Sequence, residues 1–279
     1  MNRQESNCNR QKIIGRSLKL VAAFVFLAPS IFAQNPDLQR LNESPRHHEW
    51  VAIQQGKRVV HSFVVFPEVK EKVPVVLVIH ENRGLTDWVR SLSDQLAERG
   101  YIAIAPDLLS GMGPDGGKTS DFPDRNAARD AIYKLPQEQV TADLNAVFDY
   151  AAKLPAGNGK VAVAGFCWGG AQTFLFACER KNLAAAFVFY GTPPESKDQV
   201  VQIHCPVYGF YGGNDARVNA SIPAISELMK EAGKTYDPVV YKDAGHGFMR
   251  SGEEPDASQA NKTARETAWK RWLDILKSL

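Results

Sequence analysis

The stretch Val161-Ala162-Val163-Ala164-Gly165-Phe166-Cys167-Trp168-Gly169-Gly170 decides the reading of this chain. Its small aliphatic residues read as a buried strand running into a sharp turn bracketed by glycines. A side chain at the tip of such a strand-to-helix turn sits on a strained backbone. Its neighbours have to be small, because the strand and the helix pass close together there. The residue at the tip is Cys167, in the serine position of the G-x-S-x-G pattern. A thiol in that position points to covalent catalysis.

Strand and helix signals alternate outward from this turn. Residues 59–66 read as an early strand, a candidate for antiparallel pairing, and 75–79 as a continuous aliphatic strand buried on both faces. A helix follows at 87–98, with Leu92 and Leu96 four apart, and then a strand at 101–105. The 137–154 helix carries Val140, Leu144, Val147 and Ala151 on one stripe. The turn strand is 160–164 and its helix 169–180; further strands are expected at 184–190, 207–211 and 238–241, and helices at 222–232 and 257–277. The alternation predicts an α/β architecture over residues 50–279: a mostly parallel central sheet with right-handed crossovers and helices on both faces. Between 110 and 136 the pattern lapses into a Gly- and Pro-rich loop with one short helix at 125–133. That loop reads either as a cover over a site or as a surface insertion.

The chain has 279 residues, 44% hydrophobic and 23% charged, a composition that fits one large core. Arg10, Lys12, Arg16 and Lys19 precede the apolar run 20–33, which ends in Ala33. This predicts a secretory signal at 1–33, with an uncleaved anchor as the alternative. The apolar run is shorter than the about 20 residues of a spanning helix, so no stable membrane insertion is expected after cleavage. Residues 1–33 hold five basic residues and one acidic, leaving 28 basic and 30 acidic in the remainder. The basic balance belongs to the leader, and nothing in the rest suggests nucleic acid as a partner. Residues 34–49 read as a mobile lead-in, and the protein as periplasmic or secreted and monomeric. Cys167, Cys178 and Cys205 remain beyond the leader, an odd number. Cys178 and Cys205 read as small buried hydrophobes, with a bridge between them as the alternative.

A thiol needs a base to ionise at neutral pH, and the base needs a group to orient it. In a parallel sheet these partners stand at the carboxyl ends of later strands. Asp215 follows the 207–211 strand, and His246 follows the 238–241 strand. The order Cys167, Asp215, His246 is the chain order of the α/β-hydrolase triad. Asp243 is a rival acid on the histidine's own loop. His80 also follows a strand and competes with His246, whereas His47, His48, His61 and His204 lie ahead of strand ends. The loop His80-Glu81-Asn82-Arg83-Gly84-Leu85 is expected beside the turn, where it supplies one oxyanion-binding N–H; Trp168 supplies the second. A carboxylate at Glu81 would oppose ionisation of the thiol. The plain alternative is a surface glutamate paired with Arg83.

These segments carry a resemblance. Together with Pro106-Asp107-Leu108, Gly212-Gly213-Asn214-Asp215 and Ala244-Gly245-His246-Gly247-Phe248, they resemble the dienelactone hydrolases (carboxymethylenebutenolidases) of the α/β-hydrolase fold. The resemblance runs from about residue 50 to the C-terminus. It implies Cys167 as nucleophile, His246 as base and Asp215 as its orienter. It further implies that Glu81 restrains the thiol and takes its proton when substrate arrives, and that the oxyanion N–H groups come from Asn82 and Trp168. A substrate carboxylate would be held by Arg250 and by Arg129, with Arg125 as the rival. The implied substrate is a small ester or lactone, and no metal or organic cofactor is implied. The secretory leader departs from intracellular members and leaves the substrate open. The alternatives are a broad carboxylesterase or thioesterase on the same fold, and a non-catalytic binding protein on a hydrolase scaffold.

Overall fold

Val75, Leu77 and Ile79 point to one side of the sheet and Val76 and Val78 to the other, and all five are fully buried. That two-sided burial makes the strand central and demands helices on both faces. The computed structural model describes residues 35–279, so the expected signal at 1–33 lies outside the described residues.

The elements are, in order, α1 (Pro36–Glu43), β1 (His48–Gln55), β2 (Arg58–Val65), β3 (Val73–Ile79), α2 (Asp87–Glu98), β4 (Ile102–Pro106), α3 (Arg125–Ile132), α4 (Gln137–Ala151), β5 (Gly157–Phe166), α5 (Trp168–Glu179), β6 (Ala186–Phe189), α6 (Lys197–Val200), β7 (Val207–Gly212), α7 (Ala216–Asn219), α8 (Ile222–Glu231), β8 (Tyr236–Tyr241), α9 (Phe248–Ser251) and α10 (Gln259–Leu276). The eight strands lie in the order β1-β2-β4-β3-β5-β6-β7-β8. The two pairs made by β2 are antiparallel; every other pair is parallel. One face of the sheet packs on α4, α5 and α8 through residues such as Leu144, Phe148, Phe176 and Met229. The other packs on α2 and α10 through Leu92, Leu96, Trp269 and Trp272. This is the α/β-hydrolase architecture expected from the alternation of signals.

The lead-in differs from expectation. In place of a mobile segment, 36–43 is helix α1, capped by the Asn35 side chain with Pro36 in its first turn. Leu41 buries its side chain on the α2 face, a burial that contributes about 1.5–3 kcal/mol. The fully buried Asp94 of α2 accepts two bonds from the Arg46 guanidinium, at 2.8 Å each, and one from the Ser44 hydroxyl at 2.5 Å. Asp94 therefore needs this segment, and the segment is fixed by Asp94.

The long loop is fastened too. Two single-turn 3-10 helices, Pro114–Gly116 and Thr119–Asp121, precede α3. The buried Asp107 accepts from the Leu109 and Thr119 amides and from the Thr119 hydroxyl, at 2.7–3.1 Å. Leu109, Ala128 and Ile132 form a small core beneath it.

Because β3, β5, β6, β7 and β8 are all parallel, their carboxyl ends gather on one edge of the sheet. Glu81, Cys167, Tyr190, Asp215 and His246 all follow those ends. Replacing Arg46 by Ala is predicted to cost about 3 kcal/mol, since it leaves a buried carboxylate without its main partner. Urea unfolding of Arg46→Ala measures this, and a cost near zero would show that the lead-in is not held through Asp94.

Candidate active site

Cys167 has φ 56° and ψ −115°, in the left-handed half of backbone space, where a non-glycine residue is strained. The neighbouring glycines allow this. A Cβ on Gly165 would run into the Gly169 carbonyl, and a Cβ on Gly169 into the carbonyls of Ile79 and His80. The Cys167 amide donates to the Phe189 carbonyl at 3.0 Å, tying the turn to β6. The thiol thus stands at the N-terminus of α5, whose dipole favours negative charge there.

Asp215 and His246 meet across the edge of the sheet. The Asp215 carboxylate accepts from His246 Nδ1 at 2.5 Å. Three bonds hold the two loops in register: the Gly213 amide to the Tyr241 carbonyl (2.7 Å), the Asn214 amide to the Ala244 carbonyl (2.9 Å), and the Asn214 side chain to the Asp243 carbonyl (2.9 Å). The rival Asp243 occupies a turn with φ 59° and its backbone serves that clamp. His80, the other candidate, is fully buried. Its Nδ1–H donates to the Glu81 carbonyl at 2.8 Å and its Nε2 accepts from the Leu108 amide at 3.3 Å, a neutral tautomer with both nitrogens occupied. Burial also lowers its pKa. Its ring stacks on Trp168 at 5.6 Å, so it supports the turn.

Two opposed influences act on the thiol. Burial, and then the nearby Glu81 carboxylate, push its pKa up. The backbone N–H groups of Trp168 and Asn82 and the Arg217 guanidinium favour the thiolate but do not outweigh them. Trp168 and Asn82 are the two residues whose N–H groups are expected, from the sequence, at an oxyanion.

Glu81 pairs with Arg250, whose Nε lies 3.0 Å from its carboxylate, and not with Arg83. Burial works against the Arg250 charge, but the Glu81 carboxylate more than offsets it and holds the guanidinium pKa above its usual value. Arg250 also reaches Glu254 at 3.3 Å. Both Glu81 and Arg250 line a cleft of about 1270 Å³ bounded by α1, the N-terminus of α2 and the 110–136 loop. Arg83, Lys118 and Arg125 line it as well, and among the described residues none of the three is in an ion pair. Of the acids that line the cleft, Asp107 bonds Thr119, Asp124 caps α3 and Glu253 pairs with Arg265, whereas Asp37 and Glu43 are, among the described residues, in no ion pair. Arg129 is not brought there; it pairs with its neighbour Asp130 at 3.1 Å. Arg125, one turn earlier on α3, is the arginine that faces the cleft.

Cys178 and Cys205 are free and buried, not bridged, and burial pushes both thiols up to about 12. Among the described residues no cluster of three His, Cys, Asp or Glu could hold a metal ion, and no helix is long and apolar enough to cross a membrane.

The fold and this edge-of-sheet arrangement define an α/β-hydrolase, and comparison with known proteins narrows the class. The sequence model of the dienelactone hydrolase family matches residues 60–279. A carboxymethylenebutenolidase of Pseudomonas putida is 31% identical over 240 residues, covering 83% of this chain and 97% of its own length. Among solved structures, a "Putative Dienelactone Hydrolase" of Klebsiella pneumoniae superposes with a TM-score of 0.73 at 27% identity, covering 84% of this chain and 99% of its own. A dienelactone hydrolase of Anabaena variabilis shares the fold, with a TM-score of 0.60 at 18% identity over 80% of this chain and 95% of its own. The chain belongs to the dienelactone hydrolase family, and with it to the hydrolases of ester and lactone bonds.

The raised pKa of Cys167 carries a prediction with a definite sign. A neutral thiol reacts slowly with iodoacetamide, so alkylation at pH 7 should be slow and should climb through pH 9 and above. Glu81→Gln removes a negative charge, stabilises the thiolate and should speed alkylation at pH 8. Equal rates in the two proteins would show that Glu81 does not act on the thiol.

Proposed function

We propose that the protein hydrolyses esters or lactones that carry a carboxylate, using a Cys167–His246–Asp215 triad and a thioester intermediate. The observation that carries this reading is the Asp215–His246 bond at the same sheet edge as a cysteine on a strained strand-to-helix turn.

At rest, Glu81 sits on Arg250 and its charge opposes the thiolate. A substrate carboxylate entering the cleft competes for Arg250 and is met by Arg125, in the place first assigned to Arg129. Displaced, Glu81 takes the thiol proton and passes it to His246. The thiolate adds to the carbonyl carbon, and the resulting oxyanion is held by the N–H groups of Trp168 and Asn82. As the tetrahedral adduct collapses, the C–O bond breaks and His246 gives the proton to the leaving oxygen. Water then loses a proton to His246 as it attacks the thioester. The C–S bond breaks, the acid leaves, and the proton returns to the thiolate. Asp215 holds the imidazole in the required tautomer throughout.

The support for an anionic substrate is local: Arg250 lies in the cleft on the Glu81 carboxylate, where a substrate carboxylate can compete for it, and Arg83 and Arg125, in no ion pair among the described residues, line the same cleft. The basic-then-apolar leader supports an exported enzyme acting outside the cytoplasm. Fractionation of cells expressing the full chain tests that part.

Cys167→Ala should abolish hydrolysis of aryl esters and dienelactones with the fold intact; full activity would remove the thiol from the mechanism. Asp215→Asn should cost up to about 10⁴ in kcat, as for a wrong imidazole tautomer, and Asp243→Asn far less. The opposite ranking would exchange the two acids. Arg125→Ala should raise KM for carboxylate-bearing esters about tenfold, the worth of one charge-assisted hydrogen bond, whereas Arg129→Ala should leave KM near that of the parent. A panel of anionic and neutral esters reads both.

A further inference from the structure

One buried polar atom in the site takes no part in these steps. Tyr190 follows the last residue of β6 with φ 41°, the left-handed region where a bulky side chain is an outlier. Its backbone cannot relax. Its amide donates to the Phe210 carbonyl at 2.8 Å, and a Cβ on the next residue, Gly191, would run into the backbone of Gly170. The ring is buried, edge-on to His246 at 5.0 Å and to Phe248 at 5.5 Å. Its hydroxyl has no hydrogen-bond partner among the described residues.

Each of these features has a cost. A left-handed non-glycine backbone is strained, and a buried hydroxyl without a partner has given up its hydrogen bonds to water for nothing. Two such costs at one residue, against the face of the candidate base, mark a group whose partner arrives during the reaction. The surroundings say which partner. His246 and Phe248, which pack against the ring, lie on either side of Gly247, and a Cβ on Gly247 would stand 3.8 Å from the Glu81 carboxylate and 3.5 Å from the Arg250 guanidinium. Glu81 bears on the hydroxyl as a negative charge, and Arg250 and Arg265 as positive ones; His246, with Asp215 behind it, is the other titratable group facing the ring. Burial, then Glu81 and Cys167, hold the phenol far above its ordinary pKa, so it keeps its proton and serves only as a fixed neutral donor.

We propose that Tyr190 is a positioning residue for Glu81: when the carboxylate leaves Arg250, the Tyr190 hydroxyl donates to it and gives it a second seat beside Cys167. This rests on the reading of Glu81 as the group that restrains the thiol. In that seat the donor offsets part of the Glu81 charge, so the thiolate can form while Glu81 is off its arginine.

The test needs no turnover. The pH profile of iodoacetamide alkylation is read on the Cys167 peptide by mass spectrometry in the full chain. In Arg250→Met, Glu81 has lost its ion pair and depends on Tyr190. Adding Tyr190→Phe should then move the alkylation midpoint up by half a pH unit or more, because the bare Glu81 charge bears on the thiolate. In Glu81→Gln, Tyr190→Phe should not move the midpoint. Tyr190→Phe alone should melt no lower than the parent, since it deletes a hydroxyl with no partner. No shift in Arg250→Met, the same shift with and without Glu81, or a lower Tm would each overturn the proposal. The two readings fail separately. A Glu81→Gln midpoint equal to the parent's refutes the restraint of the thiol, whereas a moved Glu81→Gln midpoint with no Tyr190 effect refutes Tyr190 alone.

Discussion

The close approach of β5 and α5 to the end of β3 governs the site. Gly165, Gly169 and the carbonyls of Ile79 and His80 leave no room for a Cβ. That contact lets Cys167 hold φ 56° and puts its thiol at a helix N-terminus, where the Asn82 and Trp168 amides favour the thiolate. The strain at Cys167, of order 1–3 kcal/mol, is borne by the fully buried strands on either side. The parallel order of β3, β5, β6, β7 and β8 then places the remaining groups on one edge of the sheet without any element having to reach across it.

The electrostatics of the site are set against ionisation of the thiol. Burial and Glu81 outweigh two amides and Arg217, and the outcome is a protonated sulfur. Glu81 in turn is kept in place by Arg250, a residue that also faces the open cleft. On the proposed mechanism, the switch between a quiet and a reactive thiol lies in this ion pair, which an incoming anion can reach. Such an arrangement also slows oxidation of the sulfur, because the thiolate is the form that oxidants attack.

The fold, and the gathering of Cys167, Asp215 and His246 at one edge of the sheet, were legible because they rest on local signals. A run of small aliphatics, a bracket of glycines, and an acid and a histidine each one turn beyond a strand are all written in short stretches. What was not legible depends on long-range contact. Helix α1 has a polar sequence with one buried leucine, and its order comes from Asp94, about fifty residues away. The Glu81–Arg250 pair joins residues 169 apart, whereas the partner that local reading offered as the plain alternative was Arg83. Arg125 and Arg129 lie one turn apart on a short helix; only the packing of the 110–136 loop decides which one meets the cleft. Tyr190 carried no sequence signal, since a tyrosine at a strand end is ordinary and its strain appears only in the backbone.

The central claim is that acyl transfer passes through the sulfur of Cys167. The direct measurement is rapid acid quench of the enzyme during turnover of an aryl ester, followed by peptide mass spectrometry. The account predicts an acyl group on the peptide containing Cys167, labile to hydroxylamine as a thioester is. Turnover that leaves this peptide unmodified at every quench time, with the acyl group on another side chain, would contradict it.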